Sequence, residues 1–334
     1  PKKKKGKKGK KKAKKIDPAL LKKQLKEFIS IYNTNCLKYD TKPVTTLVKK
    51  VQALSKSDSA TTTKFEVIVN NECDINGLRS LVDTLDAYKD YENMALWRSP
   101  IGDEGANILG QFIKPNCFLK KLELLDNRIG IKGCNAISES LHHNECLTHL
   151  TLDYNDIGDE GASVLAVGVS WNNALQNLSL NYCSINGEGG EVIGNEIVGK
   201  SRSLQELHLK GNPIGAKGVT AIGNALKQTT VLKLLNIADT NFGHSMKAIQ
   251  ALGEGMAENA SVTNLNIHMN TLNPEGIPNF LELLKQNKTL TKIKVYEINI
   301  NKETFKSFKE AIKGNGKKKK KKKGKKGKKK KKKK

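Results

Sequence analysis

"LTHLTLDYNDIGDEGASVLA", Leu147 to Ala166, carries two apolar periods in twenty residues. Leu147, Leu150 and Leu152 form an L-x-x-L-x-L pattern, a short strand whose anchors point inward. Past Gly161, the residues Ala162, Leu165, Ala166 and Val169 recur at spacings of three and four, which define one helix face. Asn155, three residues beyond the last leucine, can bond a turning backbone with its side-chain amide. Gly158 and Gly161 release the chain from the strand into the return segment. The stretch predicts strand, turn and helix, in that order.

Working outward, the same unit recurs in both directions. It appears as "LKKLELLDNRIGIKG" from Leu119, "LQNLSLNYCSINGEG" from Leu175, "LQELHLKGNPIGAKG" from Leu204 and "VTNLNIHMNTLNPEG" from Val262. Degenerate copies start at Tyr91, Leu232 and Leu290. The second anchor falls at Met94, Leu122, Leu150, Leu178, Leu207, Leu235, Leu265 and Ile293, in steps of 28, 28, 28, 29, 28, 30 and 28 residues. A weaker copy, "KFEVIVNNECDINGL", places Val67 27 residues before Met94. Units held to so narrow a spacing are structural repeats. A strand–helix unit of this length buries its apolar face only by stacking on neighbours, so the expected fold is an α/β solenoid, curved parallel sheet inside and helices outside.

The motif LxxLxLxxNxIGxxGAxxLA, nearly complete in the opening stretch, closely resembles the ribonuclease-inhibitor-like class of leucine-rich repeats over about residues 65–300. That class includes ribonuclease inhibitors, Ran GTPase activators, innate immune receptors and axonemal subunits of the dynein regulatory complex type. The resemblance implies a leucine-rich repeat solenoid of about eight or nine repeats. It leaves the function open, because the scaffold serves binding proteins with unrelated partners. Ser99, Cys183 and Thr240 depart from the motif asparagine. Ser and Thr still bond local backbone, and a small Cys can sit there buried.

A terminal repeat exposes one apolar side, so both ends need covers. The expected organisation is a lysine tail over 1–15, a helical cap over 16–60, the solenoid over 61–300, a capping helix over 301–316 and a second tail over 317–334. Asp17 and Pro18 make an N-cap and first helical residue ahead of a stripe of Leu20, Leu21, Leu25, Phe28 and Ile29. Val44, Leu47, Val48, Val51 and Leu54 form a second stripe, and Asn301 caps a helix bearing Phe305, Phe308 and Ile312. The rival reading has one N-terminal helix docking a partner.

Residues between strand anchors face the concave side. One column there reads Trp97, Leu125, Asp153, Asn181, Lys210, Ala238, His268 and Tyr296; another reads Ala95, Glu123, Thr151, Ser179, His208, Asn236, Asn266 and Lys294. Strands lie about 4.8 Å apart, so Trp97 and Leu125 are expected to form a small exposed apolar patch beside Asp153 and Tyr154, with Trp97 as a binding hot spot. The competing expectation folds Trp97 against the cap. Further along, His208, Lys210, Lys292 and Lys294 turn the face polar and mildly basic. The expected protein-binding set is Trp97, Leu125, Asp153, Tyr154, His208, Lys210 and Tyr296.

Catalysis, metal and cofactors find no support in the sequence. His149, His208 and His268 lie two repeats apart in succession, near 10 Å between neighbours at the sheet spacing, too far to share a metal. Gly187 to Gly194 lacks G-x-G-x-x-G spacing, and Gly314 onward has no strand before it and no Ser/Thr after it, so neither is a phosphate loop. Cys36, Cys73, Cys117, Cys134, Cys146 and Cys183 lack metal-ligand spacing and read as free thiols of a reducing compartment. Sequons at Asn177, Asn259 and Asn287 then carry no meaning. Ran activators typically bear an acidic tail, opposite to this chain, and Arg79 lies on the helix side. No run is apolar enough for a signal peptide or membrane span.

Charge supplies the remaining signal. Of 59 Lys and Arg, 11 lysines lie in 1–15 and 16 in 317–334, with no acidic residue in either stretch. The rest balances 33 Asp and Glu to about −1, so the formal +26 describes two polycations on a neutral body. Lys2, Lys3, Lys4 and Lys5, with Lys317, Lys318, Lys319 and Lys320, begin these polyanion-binding brushes, expected to stay disordered and extended. Their lack of arginine removes bidentate phosphate reading, the body lacks a basic stacking face for nucleic acid, and no second anchor for membrane lies beside them. The glutamate-rich tails of tubulin remain the best-matched polymer. The expectation is a non-catalytic scaffold of cytoplasm and cytoskeleton, in the axoneme of a cilium or flagellum, where resemblance to ciliary proteins supplies the last step. The alternative is a ribosomal or nucleolar RNA-associated adaptor.

Overall fold

The computed structural model describes residues 18–57, 66–295, 300–313 and 315. Helices α1 (Pro18–Lys38) and α2 (Thr45–Lys56) lead into strand β1 (Val67–Asn70) and α3 (Ile75–Tyr88). Then strand and helix alternate: β2 (Asn93–Trp97), α4 (Gly102–Ile113), β3 (Lys121–Leu125), α5 (Ile131–His143), β4 (His149–Thr151), α6 (Gly158–Trp171), β5 (Asn177–Ser179) and α7 (Gly187–Val192). They continue as β6 (Glu206–His208), α8 (Gly215–Leu226), β7 (Leu234–Asn236), α9 (Met246–Glu258), β8 (Asn264–Asn266), α10 (Ile277–Gln286) and β9 (Lys292–Lys294), followed by a helix α11 over 302–313.

The strands form one parallel sheet in chain order, β1 to β9. Its register joins the repeat anchors in one row: Val67 faces Met94, Met94 faces Leu122, Leu122 faces Leu150, and so on to Ile293. The leucine-type α/β solenoid expected from the spacing is the fold found. The anchors from Val67 to Leu265 are buried, while Ile293, on the last strand, is half-buried.

The motif asparagines form a buried ladder beside the sheet. Asn155 Nδ2 donates to the carbonyls of Leu124 (2.6 Å) and Leu152 (2.8 Å), and its Oδ1 accepts from the N–H groups of Asn127 and Ile129, both at 3.0 Å. Asn212 serves Cys183 and Ile185 in the same way. Where the motif has Cys183, its thiol donates to the Leu152 carbonyl at 3.2 Å, and Thr240 Oγ1 donates to Ile237 O at 2.9 Å.

A second ladder lies at the helix C-termini and was not read from the sequence. Asn144 Nδ2 donates to Ile113 O and Asn116 O, while its Oδ1 accepts from Cys146 N and Leu147 N. Asn172, Asn259 and Asn287 repeat the arrangement, and Asn315 closes it on Asn287 O and Leu290 O. Asn259 and Asn287 are buried, so two of the three sequons are inaccessible in the folded chain.

The 29-residue step between Leu178 and Leu207 has a local cause. After α7 the helix widens to a π-helical turn, Ile193–Val198, and a π-turn absorbs one extra residue without displacing the strands.

Two turn forms alternate along the stack. Repeats built on β2, β4 and β6 place Gly102, Gly158 and Gly215 in the left-handed region; those on β3, β5 and β7 place Arg128, Ser184 and Asn241 there. The first form also caps its successor. Asp103 Oδ1 accepts from Gly130 N (2.7 Å) and Gly133 N (2.9 Å), closing the start of α5. Asp159 Oδ1 accepts from Asn186 N (2.7 Å) and Gly189 N (3.0 Å), closing α7. Ala216 holds the equivalent place before α9, and there Ser245 caps its own helix through Ala248 N at 3.2 Å.

At the ends, α1 packs on α3 and α2, burying Leu21, Leu25, Phe28 and Tyr32, with Phe28 edge-on to Tyr88 at 5.1 Å. Leu20, assigned to the buried stripe, is exposed, because Leu21 takes the inward position beside it. Asn301 Oδ1 accepts from Thr304 N at 2.7 Å, as its cap role requires, and Phe308 meets Phe280 of α10 at 6.1 Å. Asp17 and both lysine stretches lie outside the described residues.

Candidate protein-binding face

Pleating turns Glu123, Thr151 and His208 away from the core, and the next residues outward are Trp97, Leu125, Asp153, Asn181 and Lys210. Trp97 and Leu125 are neighbours in register, as expected. The patch they were expected to form is only partly open. Both are half-buried, and Trp97 Nε1 donates to Glu123 Oε2 at 2.9 Å, which ties the indole to the adjacent column. Glu123 was placed on the face from sequence but not recognised as the partner of Trp97.

Asp153 is also engaged internally. Its carboxylate accepts from Asn181 N (2.9 Å) and Asn181 Nδ2 (2.8 Å), and Asn181 Oδ1 accepts from Lys210 N at 2.8 Å. This polar ladder runs across three repeats and stiffens the rim of the sheet.

Tyr154 is 52% exposed, and its ring stacks on Tyr182, with centroids 4.8 Å apart and planes 14° from parallel. Both have left-handed backbones, φ 60° and 55°, at the same place in successive repeats. On the far side of the stack Lys210 Nζ lies 5.3 Å from the Tyr182 centroid, and its hydrogen bond to that tyrosine holds the ammonium above the usual lysine range. The following repeat has Gly211 at this place; a Cβ there would sit 2.2 Å from the Tyr182 ring, so only glycine lets the ring lie down. The preceding repeat has Asp126, exposed, and Asp156 flanks Tyr154 in its own turn, also exposed. Sequence reasoning found Tyr154 and Lys210 but missed Tyr182, although the 28-residue interval from Tyr154 was its signal.

The histidines do not converge. His208 Nε2 lies 3.8 Å from Glu206 Oε2 on its own strand, a partner the repeat pattern did not suggest. His149 Nδ1 meets Thr148 Oγ1 at 2.8 Å, and His268 Nδ1 meets Val295 O at 3.3 Å. Among the described residues no group of three or more His, Cys, Asp or Glu is placed to hold a metal, and no helix is long and apolar enough to cross a membrane. Tyr296 lies outside the described residues, as do Lys2, Lys3, Lys4, Lys5, Lys317, Lys318, Lys319 and Lys320.

The body's near-zero charge hides an uneven distribution. Residues 133–199 contain nine Asp and Glu and no Lys or Arg. Residues 200–313 contain fifteen Lys and Arg against nine Asp and Glu. Four of those nine, Glu139, Glu188, Glu191 and Glu196, pair with Lys114, Lys217 and Lys200 from outside the stretch.

A family model described as "Leucine Rich repeat" matches residues 143–166 and 200–223. The chain is similar to ribonuclease inhibitor of Mus musculus, 35% identical over 91 residues, which cover 27% of this chain and 20% of that protein. The match thus spans a fifth of the relative's length. Among solved structures, the tropomodulin C-terminal domain of Caenorhabditis elegans aligns at 12% identity with a TM-score of 0.37, covering 56% of this chain and 94% of that one. The actin-binding site 2 of leiomodin-1 aligns at 15% identity with a TM-score of 0.31, covering 67% and 95%. The chain is a leucine-rich-repeat-type α/β solenoid.

Proposed function

We propose that this chain is a non-catalytic scaffold: the rim and concave face around Tyr154, Tyr182 and Lys210 dock a protein partner, and the two lysine stretches hold an acidic polymer. The observation that supports it most is the tyrosine stack, a rigid aromatic surface left open at the edge of the sheet. Tyrosines of this kind give large contact area at small entropic cost, and they concentrate at binding hot spots. Trp97 and Leu125 contribute a half-buried apolar floor nearby rather than the anchor itself.

For the lysine stretches the polymer proposed is the acidic tail of tubulin, which makes the chain a cytoskeletal subunit of the axonemal kind. Lysine without arginine favours diffuse, flexible acidic tails over shaped phosphate sites. Co-sedimentation with microtubules, before and after subtilisin removes tubulin's acidic tails, tests this directly. Binding should require the tails. Equal binding to trimmed microtubules together with tight RNA binding would overturn the tubulin assignment in favour of an RNA-associated adaptor. Tyr154→Ala tests the docking face: it should weaken capture of the partner found with the full chain at least about tenfold while leaving the melting temperature unchanged.

A further inference from the structure

We propose that Cys117 and Cys146 form a dithiol modification site: a small-molecule disulfide of the glutathione type oxidises the pair to an internal disulfide that clamps two neighbouring repeats together. The site precedes its strands, whereas Tyr154 follows β4, and it is independent of the docking face.

Position carries the argument first. Cys117 precedes β3 and Cys146 precedes β4, each on the chain between a strand and the helix before it. Cys117 is exposed and Cys146 half-buried, while Cys36, Cys73, Cys134 and Cys183 are buried. One repeat step carries Cys117 to Glu145, so Cys146 stands one residue along and one repeat across.

Hydrogen bonds on both sides hold this segment close to strand spacing. Before it, Asn144 Nδ2 donates to Asn116 O at 2.8 Å, and Asn144 Oδ1 accepts from Cys146 N at 2.9 Å. One buried amide thus ties the peptide entering Cys117 to the peptide entering Cys146. After it, Thr148 N and Oγ1 both donate to Lys120 O, at 2.8 and 2.9 Å. A step of about 4.8 Å across and about 3.4 Å along puts the two Cα atoms roughly 6 Å apart. Disulfides span Cα separations of roughly 4.4–6.8 Å, so the backbone need not move to be bridged. The side chains meet as well: the hydrogen bond with Cys146 is the largest influence on the Cys117 thiol and raises it.

The chemistry is thiol–disulfide exchange. The Cys117 thiolate attacks one sulfur of glutathione disulfide, forms a mixed disulfide and releases one glutathione thiolate. The Cys146 thiolate then attacks Cys117 Sγ, and the second glutathione thiolate leaves. The two protons of the protein thiols end on the two glutathiones, so two cysteines are oxidised while one small disulfide is reduced. Lys120 stands beside the first step. Its Nζ donates to Cys117 O at 3.4 Å, and its charge favours the attacking thiolate.

The bridge closes residues 117–146 into a ring that holds β3 and all of α5. The seam between these repeats is then covalent as well as hydrogen-bonded, and it opens less. Exposed disulfides are of the labile kind, so reduced glutathione reverses the clamp.

Equilibration of the full chain with glutathione and its disulfide, followed by acid quenching and mass spectrometry, tests the site. The expected product is lighter by two hydrogens, and a nonreduced tryptic digest should join residues 99–120 to residues 133–200. The second peptide also holds Cys134 and Cys183, so Cys146→Ser identifies the partner. That variant should lose the link and keep a glutathione adduct on Cys117. The bridge should be favoured at least about tenfold more in the folded chain than in concentrated urea, because unfolding frees the loop that the fold holds closed. Amide exchange from Cys146 to Leu150 should slow at least about fivefold in the bridged chain. A bridge between chains, a link that survives Cys146→Ser, a lasting glutathione adduct on Cys117 of the unaltered chain, or a bridge equally favoured in urea would each overturn the site. Amide exchange indifferent to the bridge would overturn the clamp.

Discussion

Asn155 satisfies four backbone groups that have no access to water, two carbonyls and two N–H groups. Asn155→Ala leaves them unpaired inside the stack, where each orphaned group costs about 1–3 kcal/mol, so a loss of about 3 kcal/mol or more is expected from urea unfolding. A loss below about 1 kcal/mol would mean that water enters and replaces the amide. The asparagine was legible because it follows the strand leucines at a fixed offset. Asn144 and Asn172 had an equally fixed offset, three residues before the first leucine, yet they stand where the helix is already ending and read as ordinary caps. The thiols offer a second residue-scale test. Burial pushes Cys134 and Cys183 up to about 12, whereas Cys117 is exposed and is raised by its hydrogen bond with Cys146. Iodoacetamide at pH 8 should therefore label Cys117 in the native chain and reach Cys134 and Cys183 only on unfolding. Early labelling of Cys183 would show that the ladder opens locally.

Among the elements, α7 depends on a side chain from the preceding repeat. Asp159→Ala should cost about 1 kcal/mol, the value of a lost N-cap, and speed amide exchange at Asn186 and Gly189 first. Unchanged exchange there would show that the cap is dispensable. This contact was invisible in the sequence: "IGDEG" displays its glycines, but the target of Asp159 appears only when repeats are stacked. Helix α6 has a different constraint. A Cβ on Gly168 would lie 2.3 Å from Ser138 O, a backbone atom of α5, so Gly168→Ala must push the two helices apart. Docking of α1 on α3 carries a pH signature. Burial pushes the Asp83 carboxyl up, but hydrogen bonds from Lys38 Nζ and Tyr39 Oη, each 2.7 Å, outweigh it and hold its pKa below the usual carboxylate range. A depressed folded value stabilises above the unfolded pKa of about 3.9 and is lost as pH falls through the folded value. Asp83→Asn should therefore flatten the acid limb of the stability curve below about pH 4. Because the pair is half in solvent, the effect at neutral pH should be small.

For the whole molecule, the anchor spacing was enough to read the fold, since 28-residue steps leave one way to stack the leucines. Its surface was less legible. The strand pattern leaves Trp97 open to two expectations, exposed or folded on the cap, because it says which face a side chain leaves from and not which neighbour it meets; its indole instead meets Glu123. The charge pattern was present in the letters but cancelled in the sum. Binding through the lysine stretches should be strongly salt-dependent, because its driving force is counterion release. Microtubule co-sedimentation should drop steeply between about 50 and 300 mM salt, while partner capture at Tyr154 falls less, since it gains from apolar burial. Salt-insensitive sedimentation would place the lattice contact on the solenoid instead. Deleting 1–15 and 317–334 should leave the melting of the repeats intact, and a large loss of helicity would show that these stretches support the fold.

The alternation of turn forms changes what counts as one removable part. Excising the twenty-eight residues after Gly130 would join Asp103 to a helix start shaped to give a cap rather than receive one. Excising fifty-six would bring Asp103 to the start of α7, which already accepts the same aspartate geometry from Asp159. In this middle stretch, shortening by pairs should yield a cooperative fold, and shortening by single repeats should leave a frayed seam. Genes for such a protein would then grow and shrink most easily in doublets, and its curvature could be edited only in steps of two.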